Sequence, residues 1–473
     1  MCAASTVVHS LRQSFASGKT KPIKWGLWQL QRLLDLLKEN DAAIQEALYK
    51  DLRKPAFESD LYEITVVKNE IVNAIKSLGT WMKPVYPSKP IVQYLDTVYM
   101  QKEPFGVVLI ISAWNYPIQI LLCTLVGVLA AGNCALLKPS EVSPVTAYLL
   151  AELIPKYMDT DCVQVMLGGV PETTEILNQK FDFIAYTGSS SVGKIIMSAA
   201  SKFLTPVLLE LGGKSPVYVG ENCDLKIVAN RIIWGKCSNA GQTCIAPDYI
   251  LCHSNAVDSL IEQLKATIIQ FYGESPLNSQ SYGKIVNSRH FKRLLDVIEE
   301  MPKEKLVFGG VSDGDTNSIE PTIFKNVSLD DKVMEDEIFG PLLPIVSVNG
   351  PQQAIEIINS RDKPLALYIF SKNNAVIDNI LECTSAGGVL VNDTIMHAGV
   401  TNLPFGGVGN SGMGNYHGQH SFDTFSHLKP VWKRKQNMEG LVTGRYPPYT
   451  NKNLSMMKSL LTESERSWSC NIL

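Results

Sequence analysis

Apolar residues along this 473-residue chain change their spacing near Gly106. Before that point Leu27, Leu30, Leu34 and Leu37 recur at helical intervals with Gln, Arg and Asp between them, which predicts an amphipathic helix. Residues 59–77 continue in the same style. Residues 83–103 contain three prolines, and 92–100 are rich in β-branched and aromatic side chains; this predicts a hairpin excursion. From Gly106 onward, short apolar runs alternate with helical stretches. Strands are expected at 107–111, 134–137, 162–167 and 183–186, with helices at 118–131, 144–157 and 173–179. Strand–helix–strand alternation predicts a parallel sheet covered on both faces. Such a sheet takes ligands beyond the carboxyl ends of its strands. After Leu208 a second set follows, with strands at 216–219, 248–252, 343–348, 367–370 and 388–392 and helices at 225–236 and 256–272. The expected fold class is therefore α/β, with a second α/β domain after the first. Residues 403–418 carry six glycines and read as a sharply turned loop. Residues 429–473 read as a polar, irregular tail.

Composition narrows the functional classes. A net charge of -3 leaves no basic field for a polyphosphate strand, so nucleic acid is not an expected partner. The most apolar stretch, Ile118–Ala131, is too short to span a bilayer and reads as a buried helix. The ten cysteines include no CxxC pair, so neither a zinc ribbon nor a thioredoxin-type site is expected, and no metal is predicted. Their scatter suits reduced thiols in the cytoplasm. Met1–Phe15 has hydroxyls, one Arg and no acid, but without a strong basic face it reads as the first helix of the fold.

Chemistry concentrates where strands end. Gly241-Gln242-Thr243-Cys244 can expose a thiol and a backbone N–H at one tight turn, although a cysteine is more often a buried apolar residue. Glu210 sits in the apolar run Leu208–Leu211. Burial there would raise its pKa toward that of a general base; taken alone, a strand-end Glu facing solvent is the plainer reading. Asn115, in Ser112–Pro117, follows the first core strand and can donate an amide to a developing oxyanion, or serve only as a turn residue. Lys138-Pro139-Ser140-Glu141 closes the second strand and can bind ribose hydroxyls or form a solvated loop. Tyr186–Gly193, followed by Lys194, leaves a strand and opens a helix, so Gly188, Ser189 and Gly193 bring free N–H groups toward a phosphate. The register nearly matches a nucleotide-binding P-loop, but Ile195 stands where Ser or Thr would hold magnesium. Glu337-Ile338-Phe339-Gly340-Pro341 puts a carboxylate and a ring beside a turn, suited to a ribose and a nicotinamide or to an ordinary acidic turn.

In this order and at these separations, the motifs resemble those of the aldehyde dehydrogenases. Besides those named they include Glu210-Leu211-Gly212-Gly213-Lys214 and Pro404-Phe405-Gly406-Gly407, and the resemblance runs from about Lys21 to His427. The short stretch before the first helix, and Tyr446-Pro447-Pro448-Tyr449 after the core, resemble class 3, the branch acting on fatty and aromatic aldehydes. Cys470-Asn471-Ile472-Leu473 resembles a prenylation box ending in Leu, as in the B-type subfamily. The resemblance implies two Rossmann-like doubly wound domains and a small β bridging or oligomerisation element. Residues 1–82 and 102–208 would bind NAD(P), 209–392 would form the catalytic domain, 83–101 and 393–430 the bridging element, and 431–473 the tail.

It further implies Cys244 as nucleophile, Glu210 as general base, and Asn115 with the Cys244 N–H as oxyanion hole. Lys138, Ser140, Glu141, Gly188, Ser189, Gly193, Glu337 and Phe339 would contact the cofactor, NAD with NADP also possible. The expected substrates are medium- to long-chain aliphatic aldehydes, with aromatic ones as a further class, and the expected assembly is a homodimer. A prenyl group on Cys470 would tether a cytoplasmic enzyme to membranes, with Lys433, Arg434, Lys435, Arg445, Lys452 and Lys458 adding attraction to anionic lipid. Two other readings remain: a CoA-acylating reductase, and a crystallin-like relative without turnover.

Overall fold

The structure is a computed structural model that describes residues 3–89, 93–437 and 439–462. Its contacts divide it into two units, the described residues of Met1–Leu78 with Pro104–Phe425 and those of Gly79–Glu103 with Ser426–Leu473. The larger unit is built on two sheets. The six-stranded sheet runs, in spatial order, Gly412–Met413, Val207–Glu210, Phe183–Thr187, Val107–Ile111, Cys134–Lys138 and Val163–Val165. All its pairings are parallel except that of Gly412–Met413, which runs antiparallel to Val207–Glu210. Val107–Ile111 and Cys134–Lys138 are buried at every position. Wholly apolar sequence is what a parallel strand covered on both faces requires. The run 118–131 forms the helix Pro117–Ala130, buried throughout apart from Gln119. No helix among the described residues is long and apolar enough to cross a membrane.

The seven-stranded sheet runs Gly388–Val391, Ala366–Phe370, Pro216–Val219, Tyr249–His253, Leu342–Val348, Thr322–Phe324 and Leu306–Phe308. Only the last pairing, Thr322–Phe324 with Leu306–Phe308, is antiparallel. The architecture is the α/β pair of parallel sheets expected. The first helix in the chain, Ala4–Ala16, buries Ala4, Val7, Val8 and Leu11.

The smaller unit differs from expectation in two places. Thr97–Pro104 pairs with Ser426–Lys433. Among the described residues of 83–103 the only hairpin-like contact is one antiparallel bridge, Val85 to Met100. Pro84 and Pro87 lack the N–H that a ladder needs. The tail expected to be irregular contains that second strand and a helix, Asn451–Leu461. Ser426–Lys433 has no buried position, so it carries no apolar alternation to read. The helix Asn451–Leu461 is capped by Thr450, whose Oγ1 accepts the Asn453 N–H at 3.2 Å, and none of its side chains is buried. Cys470 lies outside the described residues.

Candidate active site

The carboxyl ends of the central strands open on one cavity of about 770 Å³. Val107–Ile111 has Cys134–Lys138 on one side and Phe183–Thr187 on the other, so the chain reverses its direction of winding there. Lys138, Ser140, Glu141, Gly188 and Ser189 line the cavity. Lys138 Nζ pairs with Glu141 Oε2 at 2.5 Å. Ser189 caps the helix Ser190–Ser201, its Oγ accepting the Val192 N–H at 3.4 Å, and Gly188 donates its N–H to the Glu210 carbonyl at 3.0 Å. A Cβ on Gly188 would lie 2.2 Å from the Tyr186 hydroxyl oxygen. Gly193 is placed differently. It lies inside the helix, where a Cβ would meet Leu211 Cδ2 at 2.7 Å, so its role in the structure is to let helix and strand end pack closely.

Glu337 and Phe339 line the same cavity, together with Trp114. The Trp114 ring meets Phe339 edge-on at 5.3 Å and His290 at 5.1 Å. The Glu337 loop is held by a pair that sequence reading missed. Lys214 Nζ binds Asp248 Oδ2 at 2.6 Å and donates to the carbonyls of Val333 and Asp336, at 3.0 and 2.7 Å. The other Asp248 oxygen accepts the Ile338 N–H at 3.0 Å. Gly212 makes room for the carboxylate, since a Cβ there would fall 2.0 Å from Glu337 Oε2. Glu337 Oε1 is buried with no partner. Burial, and then the Asp248 charge, push this carboxyl up to about 8.

Cys244 also lines the cavity. The helix Leu225–Cys237 stops short of it, and Asn239 and Ala240 take left-handed φ values of 52° and 53°. Gly241 follows at φ 77°, and a Cβ there would lie 2.3 Å from the Gly340 carbonyl oxygen. Only glycine satisfies both constraints. Asn115 is buried and donates Nδ2–H to the Gln242 carbonyl at 3.1 Å. Gln242 in turn donates to the carbonyls of Asn239 and Lys284, each at 2.9 Å, and Tyr116 OH bonds Thr243 Oγ1 at 2.8 Å. Glu210 ends its strand buried, 4% exposed, not facing solvent as the plainer reading of its motif would have it. Neither of its carboxyl oxygens has a partner, and burial raises its pKa well above the carboxylate range. Burial first, then the negative charges of Glu337 and Glu210, push the Cys244 thiol up to about 12.

The donor set fits a dinucleotide. A lysine and a glutamate stand at one strand end, a helix N-terminus lines the cavity, Gly188 and Gly212 leave room that a Cβ would fill, and one Glu337 carboxyl oxygen is unpartnered. A groove of this kind, lined also by a thiol, places the protein among the nicotinamide-dependent oxidoreductases. Within that class the chain belongs to the aldehyde dehydrogenase family, whose model matches residues 11–431. It is 49% identical over 463 residues to aldehyde dehydrogenase family 3 member B1 of Bos taurus, with 98% of each chain covered. A solved structure described as the substrate-bound state of Staphylococcus aureus AldH superposes with a TM-score of 0.95 at 40% identity, covering 98% of this chain and 100% of the other. An indole-3-acetaldehyde dehydrogenase complexed with NAD+ superposes with a TM-score of 0.83 at 26% identity, covering 92% and 90%. The protein is thus an NAD(P)-dependent aldehyde dehydrogenase that oxidises aldehydes to carboxylic acids.

Proposed function

We propose that Cys244 is the nucleophile, Asn115 and the Cys244 N–H the oxyanion hole, and Glu210 the base of the second half-reaction. The carrying observation is the grouping around Cys244: an amide oriented by Gln242 and a buried carboxyl without any hydrogen-bond partner. The Cys244 thiol gives its proton to solvent and adds as thiolate to the aldehyde carbon, and the oxygen takes up negative charge opposite the two N–H donors. A nicotinamide held by the residues named below would supply the acceptor for the hydride that leaves this carbon. A thioester then remains on Cys244. Glu210 removes a proton from water, the water attacks the thioester carbon, and the acid leaves as the sulfur is released.

Lys138, Ser140, Glu141, Gly188 and Ser189 hold the adenosine and pyrophosphate part of the cofactor, NAD with NADP also accepted, and Glu337 and Phe339 hold the nicotinamide ribose. The preferred aldehydes are aliphatic ones of medium to long chain, because each buried methylene contributes about 0.8 kcal/mol. The free carboxyl of Glu210 favours hydrolysis of the thioester over its transfer to CoA. NADH production from hexanal tests the assignment. Turnover without CoA is expected; dependence on CoA, or no turnover, overturns it. Specificity constants should climb from acetaldehyde to decanal, and a flat series removes the chain-length preference.

The same reading includes a homodimer and a cytoplasmic enzyme tethered to membranes by a prenyl group on Cys470. Lys435, Lys452 and Lys458 are exposed and suit attraction to anionic lipid. Arg434 is less suited, being paired with Asp96 at 2.7 Å. The helix Asn451–Leu461 adds exposed Leu454 and Leu461 beside Lys452 and Lys458, with no acidic residue, which suits an interfacial position.

A further inference from the structure

Lys54 and Glu63 form an ion pair at 2.5 Å in which both side chains are wholly buried. Removing two charges from water is costly, and such a pair persists when further hydrogen bonds fix it. Here every further bond goes to one turn. Lys54 Nζ donates to the main-chain carbonyl of Asn115 at 2.9 Å. Glu63 Oε2 accepts the N–H groups of Ile118 and Gln119 at 3.1 and 2.9 Å. The ammonium also sits 4.0 Å from the centre of the Tyr116 ring, a favourable cation–π distance. One ion pair thus grips the chain on both sides of the strand-to-helix corner that carries Asn115.

The grip reaches the nucleophile loop. Asn239 Nδ2 donates to the same Asn115 carbonyl at 2.9 Å and to the Gln242 carbonyl at 3.1 Å. The Gln242 carbonyl also receives the Asn115 side-chain amide. One Asn115 amide hydrogen is thereby committed, and the plane of the amide is set for the other. Glu63 lies in a π-helical stretch, Ser59–Thr65, the wide turn that often marks a functional position in a helix.

We infer that Lys54, together with Glu63, is a positioning group for Asn115: the pair holds the Asn115 main chain so that its side-chain amide meets the oxyanion formed on Cys244. The inference rests on the proposed role of Asn115. It extends the working parts of the site to a pair that touches no substrate.

The test uses cofactor-free full-length protein and p-nitrophenyl acetate, whose attack by Cys244 also forms an oxyanion and releases nitrophenolate. Four proteins are compared, namely wild type, Asn115→Ala, the neutral pair Lys54→Met/Glu63→Gln, and the triple variant. The neutral pair should release nitrophenolate at least about tenfold more slowly than wild type, toward the loss expected from an oxyanion donor itself. The triple variant should fall within about threefold of Asn115→Ala, because groups acting through one another are not additive. A purely structural lesion would instead repeat its loss in the Asn115→Ala background. The inference is overturned by that repetition, or by a neutral pair within about threefold of wild type. Should the neutral pair fail to fold, Glu63→Gln alone decides. A loss of at least about threefold that vanishes in the Asn115→Ala background supports the inference, and any other result overturns it. If Asn115→Ala itself keeps the wild-type rate, the oxyanion role of Asn115 has failed instead.

Discussion

Cys244 and Glu337 oppose each other electrostatically. Burial, and after it the charge of Glu337, pushes the thiol up to about 12, and burial pushes Glu337 itself up to about 8. Burial alone keeps the thiol protonated below about pH 8, where the Glu337 carboxyl is neutral and exerts little field; above that pH the new charge raises the thiol further. Alkylation of Cys244 by iodoacetamide in cofactor-free protein should therefore be slow at neutral pH and rise with pH. Glu337→Gln should match wild type below about pH 8 and react faster above it. Rates measured from pH 6 to 10 check this, and curves that coincide throughout would remove Glu337 from control of the thiol. The same shift bears on stability. Glu337 binds its proton more tightly folded than unfolded, so it favours the fold at low pH. That contribution is lost as pH rises from about 4.5 through about 8. The melting temperature of Glu337→Gln, measured relative to wild type, should rise across that window.

The proposed role of Glu210 as base has a kinetic counterpart. A base whose pKa is raised by burial works only in its ionised fraction, so turnover should rise with pH as the carboxyl loses its proton. Glu210→Gln should keep a stoichiometric NADH burst and lose most steady turnover, along with this pH-dependent rise. Loss of the burst itself in folded protein assigns Glu210 another task.

Among elements, the loop from Ser238 to Cys244 depends most on its exact residues. Gly241→Ala puts a Cβ against the Gly340 carbonyl oxygen at positive φ. Urea unfolding should show a loss of about 2 kcal/mol or more, and alkylation of Cys244 should slow by about tenfold as the sulfur is displaced. A variant as stable and reactive as wild type would mean that the loop relaxes freely. This loop was legible in the sequence because a glycine turn before a cysteine is a local pattern, and the core strands were legible because double-sided burial leaves an uninterrupted apolar run. The pairs that hold the site were not. Lys54 and Glu63 look like ordinary charges of an amphipathic stretch, and their partners at 115–119 are more than 50 residues away. Lys214 appeared only as the last letter of a motif, with Asp248 34 residues on. The burial of Glu210 depends on which way a strand end faces, and that is set by the sheet around it.

For the whole molecule, the proposed tether would make attachment separable from catalysis. Expressed in a eukaryotic cell, wild type should divide between membrane and cytosol, and Cys470→Ser should move to the cytosol with its hexanal activity unchanged. Leu454→Glu with Leu461→Glu should weaken membrane retention while leaving the prenyl group detectable by mass spectrometry. Equal distribution of wild type and Cys470→Ser, with no prenyl mass, would show that no tether exists.

During synthesis the strand Thr97–Pro104 emerges long before the strand it pairs with. Glu103 and Lys429, which pair in the finished protein, are 326 residues apart, a wait of roughly 15–65 s at about 5–20 residues per second. For that interval the eight-residue segment lacks the strand it pairs with, and ribosomes following one another on a messenger bring identical unpaired segments side by side. Charge and proline at an edge discourage such pairing, and Lys102, Glu103 and Pro104 stand together at the end of this strand. Replacing all three with valine should raise the share of newly made chains that sediment as aggregates during translation, and slowed elongation should enlarge the effect.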